Sequence, residues 1–564
     1  MPATPAPPPQ IPGDPPRLLL GPLLRHVDPV SATVWVETDR PCDVQVLDAR
    51  ARTFCVGGHH YALLVIEDLE PGSSTPYEVH LDDGRGASRA WPRMHSPFPP
   101  SRIRTPGGPS PFRLAFGSCR YATPSTVDAR DGIAPDALDS YAHLVASLPE
   151  TEWPDALVLL GDQVYADEVT PATRQWLAAR RDLSEPPGAQ AADFEEYTRL
   201  YTESWSDPEV RWLLSTIPSS MVFDDHEMID DWNTSAAWRD LITPRDWWAK
   251  RISGGLVSYF VYQHLGNMSP QELADSSVWQ SILQRRGGSD DAEPMLRAMA
   301  ESADGDPTAH RWSYVRHFGN VRLVMVDSRA GRVLAESDRR ILDDTEFDWV
   351  EAALRNAVAD GCDHVLVGTS LPWLLPHAIH DIERWNETLN VRHHRRPLGR
   401  LAERVRQAAD LEHWAAFGQS FERLGRVLVS LARGEAGPAP ATALVLSGDV
   451  HHAYAAELVR PGDLTGRVHQ LTVSPLHNQA PHAIEIGFRV GWSRWARLLT
   501  GALARAARVQ PTELVWQKQS GPYFGNELGE LVLDGRDARF RLWATSREDD
   551  GTPRFTQVLD TELS

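Results

Sequence analysis

The sequence predicts an α/β domain preceded by a small all-β sandwich, and three observations support that class. Between residue 18 and about residue 105, short apolar/polar alternations are separated by Gly, Pro and Asp turns. Beyond residue 110, unbroken apolar runs alternate with helical stretches, as in strands covered on both faces. Each of those runs stops at small or polar residues, the place where open α/β sheets line a ligand crevice.

Residues 1–16 (MPATPAPPPQIPGDPP) cannot bury a core and are expected to be a disordered Pro-rich tail. The sandwich is placed at 17–105, with Ala32-Thr-Val-Trp-Val-Glu37 and Asp43-Val-Gln-Val46 as representative strands. Its segment 66–77, ending at Tyr77, resembles the tyrosine corner of an Ig/fibronectin type III-like module. No cluster of reactive side chains lies there, so packing or substrate shaping is the expected role. A Pro/Gly-rich linker, 100–111, leads into a main domain at 110–546.

The apolar runs of the main domain are 112–116, 156–160, 221–223, 321–326, 364–367 and 443–446, which implies a mostly parallel sheet. They end in Gly117-Ser-Cys119, Gly161-Asp162, Asp224-Asp-His-Glu227, Asp327-Ser-Arg329, Gly368-Thr-Ser370 and Ser447-Gly-Asp-Val-His451. A helical insertion at about 232–307 carries Trp232, Trp238, Trp247, Trp248 and Trp279, expected as core aromatics or as a wall over the site. A second helical stretch, about 380–433, holds the basic segment Val391-Arg-His-His-Arg-Arg396, expected to be a solvated face. Residues 528–546 alternate like two strands joined by Asp534-Gly535, and 547–564 are expected as a C-terminal tail.

With 56 Lys plus Arg against 77 Asp plus Glu, the formal net charge is −21, which disfavours nucleic acid as a specific partner. The cysteines Cys42, Cys55, Cys119 and Cys362 are too scattered for a disulfide framework or a Cys-x-x-Cys zinc site, leaving a Cys42–Cys55 bridge open. No apolar run has the length of a membrane span. The first residues lack a basic n-region and paired arginines, so a cytoplasmic location is expected.

The polar strand ends supply Cys119, Asp162, Tyr165, Asp225, His226, Asp449, His451 and His452, a set of ligands suited to a binuclear metal site. Carboxylates take hard cations, imidazole suits first-row transition metals, and thiolate with phenolate favours a softer or more oxidised ion such as ferric iron. His226-Glu-Met-Ile-Asp230 fails as a zincin helix because Asp230 stands where the second histidine is needed. Neither a P-loop nor a G-x-S-x-G elbow is present.

Taken in order, Gly117-Ser-Cys119, Gly161-Asp-Gln-Val-Tyr-Ala-Asp167, Asp224-Asp-His-Glu227 with Asp230-Asp-Trp-Asn233, Asp327-Ser-Arg329 and Ser447-Gly-Asp-Val-His-His-Ala-Tyr454 resemble the PhoD-like alkaline phosphatase family of calcineurin-like metallophosphatases. The resemblance covers about residues 16–545. It implies a layered metallophosphatase fold, two mixed sheets flanked by helices, and a binuclear centre with Fe³⁺ and Ca²⁺ as usual metals, other divalent cations being open. It also implies Asp162 as the carboxylate shared by both metals, with Cys119, Tyr165 and His451 on the iron side and Asp225 and Asp449 on the second metal. His226 stands where the superfamily places a histidine that touches phosphate. Cys119 replaces the superfamily's Asp-x-His, Thr369-Ser370 its mid-chain histidine, and Asp225 and Asp449 an Asn and a His; more oxygen donors favour Ca²⁺ at the second site.

The expected activity is metal-dependent hydrolysis of a small-molecule phosphate mono- or diester, as an alkaline phosphatase or phosphodiesterase using metal-activated water. His226 is expected to protonate the leaving oxygen, and Arg120 and Arg329 to clamp phosphate. Each arginine fits a salt-bridging role equally well, and Asp327 is expected to support ligands rather than be one. Other readings stand beside this: a phospholipase D-like or nucleotide phosphodiesterase, a non-catalytic metal-stabilised binding protein, and a redox role for a thiolate-phenolate iron.

Overall fold

A computed structural model describes residues 14–108, 111–122, 133–285, 290–393, 396–460, 462–479, 482–548 and 551–564. The Pro-rich tail expected at 1–16 therefore lies, apart from 14–16, outside the described residues.

The N-terminal strands are β1 (Leu18–Val27), β2 (Ala32–Thr38), β3 (Asp43–Val46), β4 (Ala49–Arg52), β5 (Phe54–Val56), β6 (His59–Ile66), β7 (Ser74–Pro76), β8 (Val79–Asp82), β9 (Ser88–Trp91) and β10 (Arg102–Arg104). They pair as two four-stranded antiparallel sheets, β1-β2-β6-β5 and β4-β3-β8-β9, with a β10-β7 ribbon. Val34, Val36, Ala62 and Leu64 face Val44, Val46, Val79 and Leu81 in the sandwich core. Their neighbours Trp35, Tyr61 and Leu63 point the other way, into a second core shared with the main domain. Because strand side chains alternate, β2 is buried on both faces.

Tyr77 does not close a local corner. Its hydroxyl donates to the backbone carbonyl of Ser215 at 2.5 Å, in the main-domain helix Pro208–Thr216, so it ties the two regions together. Cys42 and Cys55 are both free thiols, one buried in the sandwich core and the other 3.7 Å from Asp291 Oδ2; the bridge left open by the sequence is not formed.

The main domain contains β11 (Phe112–Gly117), β12 (Ala156–Leu160), β13 (Ser219–Val222), β14 (Tyr314–Phe318), β15 (Val321–Met325), β16 (His364–Gly368), β17 (Thr442–Ser447), β18 (Ala453–Arg460), β19 (Arg467–Thr472), β20 (Val515–Tyr523), β21 (Glu527–Asp534), β22 (Asp537–Arg547) and β23 (Pro553–Glu562). Two mixed sheets result, β13-β12-β11-β21-β22-β23 and β14-β15-β16-β17-β19-β18-β20. The parallel strands are β11–β13 in one and β15, β16, β17 and β19 in the other. Short connections such as Asp534–Asp537 add only antiparallel strands, which is why the sheets are mixed rather than mostly parallel. The sheets face each other across a core that includes Phe116, Val158, Leu160, Met325, Leu366 and Leu446. Helices cover both outer faces.

The segment expected as a C-terminal tail is instead the edge strand β23, paired with β22. Phe555 stacks on Trp543 (5.5 Å between centroids) and meets Tyr141 edge-on, while Val558 is exposed. Leu559 and the fully buried Leu563 add contacts to the core between the sheets, but three such anchors spread through a polar stretch left little regular alternation to detect.

The insertion is helical, with Trp248–Tyr259, Ser277–Gln284 and Glu293–Gly305 as its main pieces. Trp232, Trp248 and Trp279 are buried in the shared core; Trp279 meets Phe54 of β5 edge-on at 5.7 Å. Arg25, wholly buried in β1, donates to the Gln263 carbonyl and to Asn267 Oδ1 at 2.8 and 3.0 Å. Trp279 and Arg25 thus join the sandwich to the insertion, while Trp232 and Trp248 pack within the main domain, the first against Phe223 and the second against Trp238 and Trp247.

Candidate metal centre

Strand ends and tight backbone conformations assemble the site. Cys119, Asp162, Asp449 and His451 all carry left-handed φ angles, 56°, 52°, 66° and 50°. Residues with a β-carbon adopt that region only at an energetic cost, and such strain concentrates at functional sites. Gly161, at φ 109°, has no room for a side chain: a β-carbon would lie 2.6 Å from Cβ of Asp224. The turns are stitched together, with Cys119 N donating to Gly161 O (3.1 Å) and Arg120 N to Asp162 O (2.9 Å).

Asp162 is the common member of three groups whose ligand atoms lie within 4.8 Å of one another: Cys119–Asp162–Asp449, Asp162–Asp225–His226 and Asp162–Asp224–Asp225–Asp449. The Cys119 thiol contacts Asp162 Oδ2 at 3.3 Å. Asp162 Oδ1 and Asp224 Oδ2 are buried without a hydrogen-bond partner. Burial, and the proximity of the other acids, raise Asp162 and Asp449 well above the usual carboxylate range and Asp225 to about 8. A cation among these oxygens would relieve both the repulsion and the unsatisfied atoms, so the residues fit a metal.

Tyr165 is buried, with its hydroxyl accepting from Asn478 Nδ2 at 3.0 Å and its ring 4.6 Å from that of His226. His226 Nδ1 is held by Asp167 Oδ1 at 2.9 Å. Burial opposes a charge on the ring, yet Asp167 and the cluster acids hold its pKa well above the usual histidine range. His451 belongs to none of the three groups, and burial lowers its pKa to about 4. His452 is packed among aromatic rings, 4.0 Å from that of Phe488, with Nδ1 donating to Val450 O.

Two expected clamps have other partners. Arg120 turns away from the cluster: its guanidinium donates to Asp136 Oδ2 at 2.7 Å and to the Ser204 carbonyl at 2.6 Å, and it is buried there. Arg329 lies at the cluster with a side chain of 0% exposure, bridging Asp224, Asp225, Asp449 and Glu412 at 2.5 to 3.3 Å. It compensates four acids instead of offering a free fork to phosphate. Asp327 caps its own turn, accepting the amides of Arg329, Ala330 and Gly331.

Several contributors escaped sequence reasoning. Glu227 accepts the amides of Asp162, Gln163 and Asp224 and the side-chain amide of Gln263 at 2.8 to 3.0 Å. Burial raises its pKa to about 7. Glu412 pairs with Arg329 and Arg332; burial works against its charge, but the two guanidiniums bring its pKa down to about 2. Ser370 donates to Asp224 Oδ1 at 2.9 Å. Asp224, Glu227 and Ser370 stand at strand ends in the sequence, which marks their position but not these tasks, and Glu412 follows no apolar run at all.

A family model described as PhoD-like phosphatase matches residues 136–495, more than half of the chain. The chain belongs to the PhoD-like phosphatase family. Membership makes it a hydrolase of phosphate esters. Residues 15–103 match a second model, described as a domain of unknown function. A solved structure entitled "Structure of PhoD" superposes with a TM-score of 0.56 at 12% identity, covering 99% of this chain and 93% of that one. At that identity the likeness speaks for the fold. An amylomaltase from Corynebacterium glutamicum aligns with a TM-score of only 0.11, at 12% identity over 62% of this chain and 55% of its own. No curated protein matches. Among the described residues, no helix of this PhoD-like phosphatase is long and apolar enough to cross a membrane.

Proposed function

We propose that the chain hydrolyses phosphate mono- or diesters at a two-cation centre in which Asp162 is the shared carboxylate. The membership of Asp162 in all three donor groups, with one oxygen unpartnered, carries this reading. Cys119 and Tyr165 would hold a ferric ion, while Asp225 and Asp449, with Asp224 beside them, offer the all-oxygen surroundings that suit Ca²⁺. His451 is the further iron-side ligand the family resemblance proposes. When bound, the cations would neutralise phosphate charge and activate a water.

The chain's own groups divide the remaining work. Asp167 fixes the ring of His226 through Nδ1, leaving Nε2 for the cluster side. A protonated ring in that position donates to the leaving oxygen. Glu227 and Arg329 hold the acidic turns in place from behind. Activity with an alkaline optimum is proposed from the family name alone.

Metal analysis of the purified protein with its visible spectrum is the test, run beside hydrolysis of mono- and bis-nitrophenyl phosphate. Stoichiometric iron, a charge-transfer band lost in Tyr165→Phe, and turnover abolished by chelator are expected. A colourless, iron-free and fully active protein would overturn the ferric assignment, and chelator-resistant turnover would overturn the metal centre.

A further inference from the structure

The helix Arg494–Ala506 is packed inside out. Its inward side is made of small residues, with Ala504 buried and Thr500 donating to Asp381 Oδ2 at 2.9 Å on the helix His377–His393. Its large apolar residues face solvent: Trp495 is 78% exposed, Leu498 64%, Leu499 72% and Leu503 41%. Their spacing at i, i+3, i+4 and i+8 places them on one stripe. The preceding helix His482–Gly491 adds exposed Ile486 and Val490. A globular helix ordinarily buries its large apolar stripe, and an exposed patch of this kind marks an interaction surface.

Charge identifies the partner. Residues 482–508 contain Arg489, Arg494, Arg497, Arg505 and Arg508 against the single acid Glu485, inside a chain of net charge −21. Arg392, from the basic stretch whose residues 394 and 395 lie outside the described ones, joins this face by donating to the carbonyls of Ala507 and Arg508 at 2.5 and 3.0 Å. We propose that these two helices seat the protein on an anionic phospholipid bilayer. Trp and Leu on one side of a helix with arginines beside them is the composition of an interfacial helix, and local positive charge orients an otherwise acidic molecule toward anionic lipid. A second copy of the chain would bring the same arginines to both sides of a two-fold interface, which opposes self-association.

The surface adjoins the candidate centre. Phe488, on the first helix, packs against His452, the neighbour of His451. Asn478, just before that helix, holds the Tyr165 hydroxyl. Docking would therefore bring the rim of the site toward the lipid headgroups.

Flotation of the full chain with vesicles of phosphatidylcholine mixed with phosphatidylglycerol, and of phosphatidylcholine alone, tests this. The parent protein is expected to float with the mixed vesicles and to be released by salt. The double variants Trp495→Ser/Leu499→Ser and Arg494→Glu/Arg497→Glu should each lower the bound fraction by at least about tenfold. Their melting temperatures and hydrolysis of a soluble nitrophenyl ester should match the parent, because the changed side chains are exposed. A parent that does not float, or variants that float equally well, would overturn the proposal. So would a dimer in light scattering that Trp495→Ser/Leu499→Ser splits, without any flotation of the parent.

Discussion

Glu227 Oε2 accepts the backbone amide of Asp162 at 2.9 Å, so a single buried acid on one strand end fixes the turn that carries the shared carboxylate on the next. The same oxygen takes the amide of Asp224 at 2.8 Å. Glu227→Gln turns part of that acceptor into a donor facing amides. Loss of about 2–4 kcal/mol of stability is expected, with reduced metal content and at least a tenfold fall in turnover. Urea unfolding and metal analysis on one preparation check it; unchanged metal content would show that the turn holds itself.

The Asp167–His226 pair sets up a leaving-group test. Removing the carboxylate in Asp167→Ala frees the ring and should lower kcat for alkyl phosphates by about a hundredfold, with a much smaller effect on nitrophenyl esters, whose leaving group needs no proton. Asp167→Asn retains an acceptor for Nδ1–H and should lie between. Equal losses on both substrates would place His226 outside proton transfer.

Arg329 is expected to behave as a positioning residue. Arg329→Met leaves Asp224, Asp225, Asp449 and Glu412 without their shared cation. A loss of about 3–5 kcal/mol in chelated protein follows from uncompensated buried charge. A variant of parental stability whose KM alone rises would restore the phosphate-clamp role.

His59 couples stability to pH far from the metal centre. It bridges Glu37 of β2 and Glu195 of the helix Phe194–Trp205 at 3.1 and 2.8 Å. Burial opposes its charge, but the two glutamates raise its pKa to about 10. A raised folded-state pKa means the stabilisation is fully present below the ordinary histidine value, near 6.5, and is lost as pH rises through about 10. His59→Gln should therefore cost on the order of 1–3 kcal/mol at pH 6 and converge with the parent above pH 10. Urea midpoints at several pH values read this directly; a constant difference would refute it.

Cys119, Asp162, Asp225 and Asp449 are legible in sequence because each follows an apolar run within a few residues, and strand ends in such sheets share one edge. Glu227 is visible, yet its task depends on β12 and β13 being neighbours, which no local pattern encodes. Glu412 and Asn478 arrive from segments without strand punctuation, so only the assembled fold brings them to Arg329 and Tyr165. Arg120 misled for the opposite reason: its position beside Cys119 says nothing of a long side chain that reaches back to Asp136. The two-sheet layering, similarly, came from the resemblance, because apolar runs alone do not say which strands pair.

The outer face of β1, β2, β5 and β6 shares one core with the main domain through Trp35, Phe54 and Tyr61, and Tyr77 fastens the opposite sheet's side to Ser215. The linker at 100–111 is thus a border in sequence composition and not in cohesion. A chain cut there would strip the catalytic half of one wall, exposing a broad aromatic surface prone to clumping. Heating the whole protein should melt both regions in a single calorimetric step, one cooperative unit spanning two stretches of unlike composition.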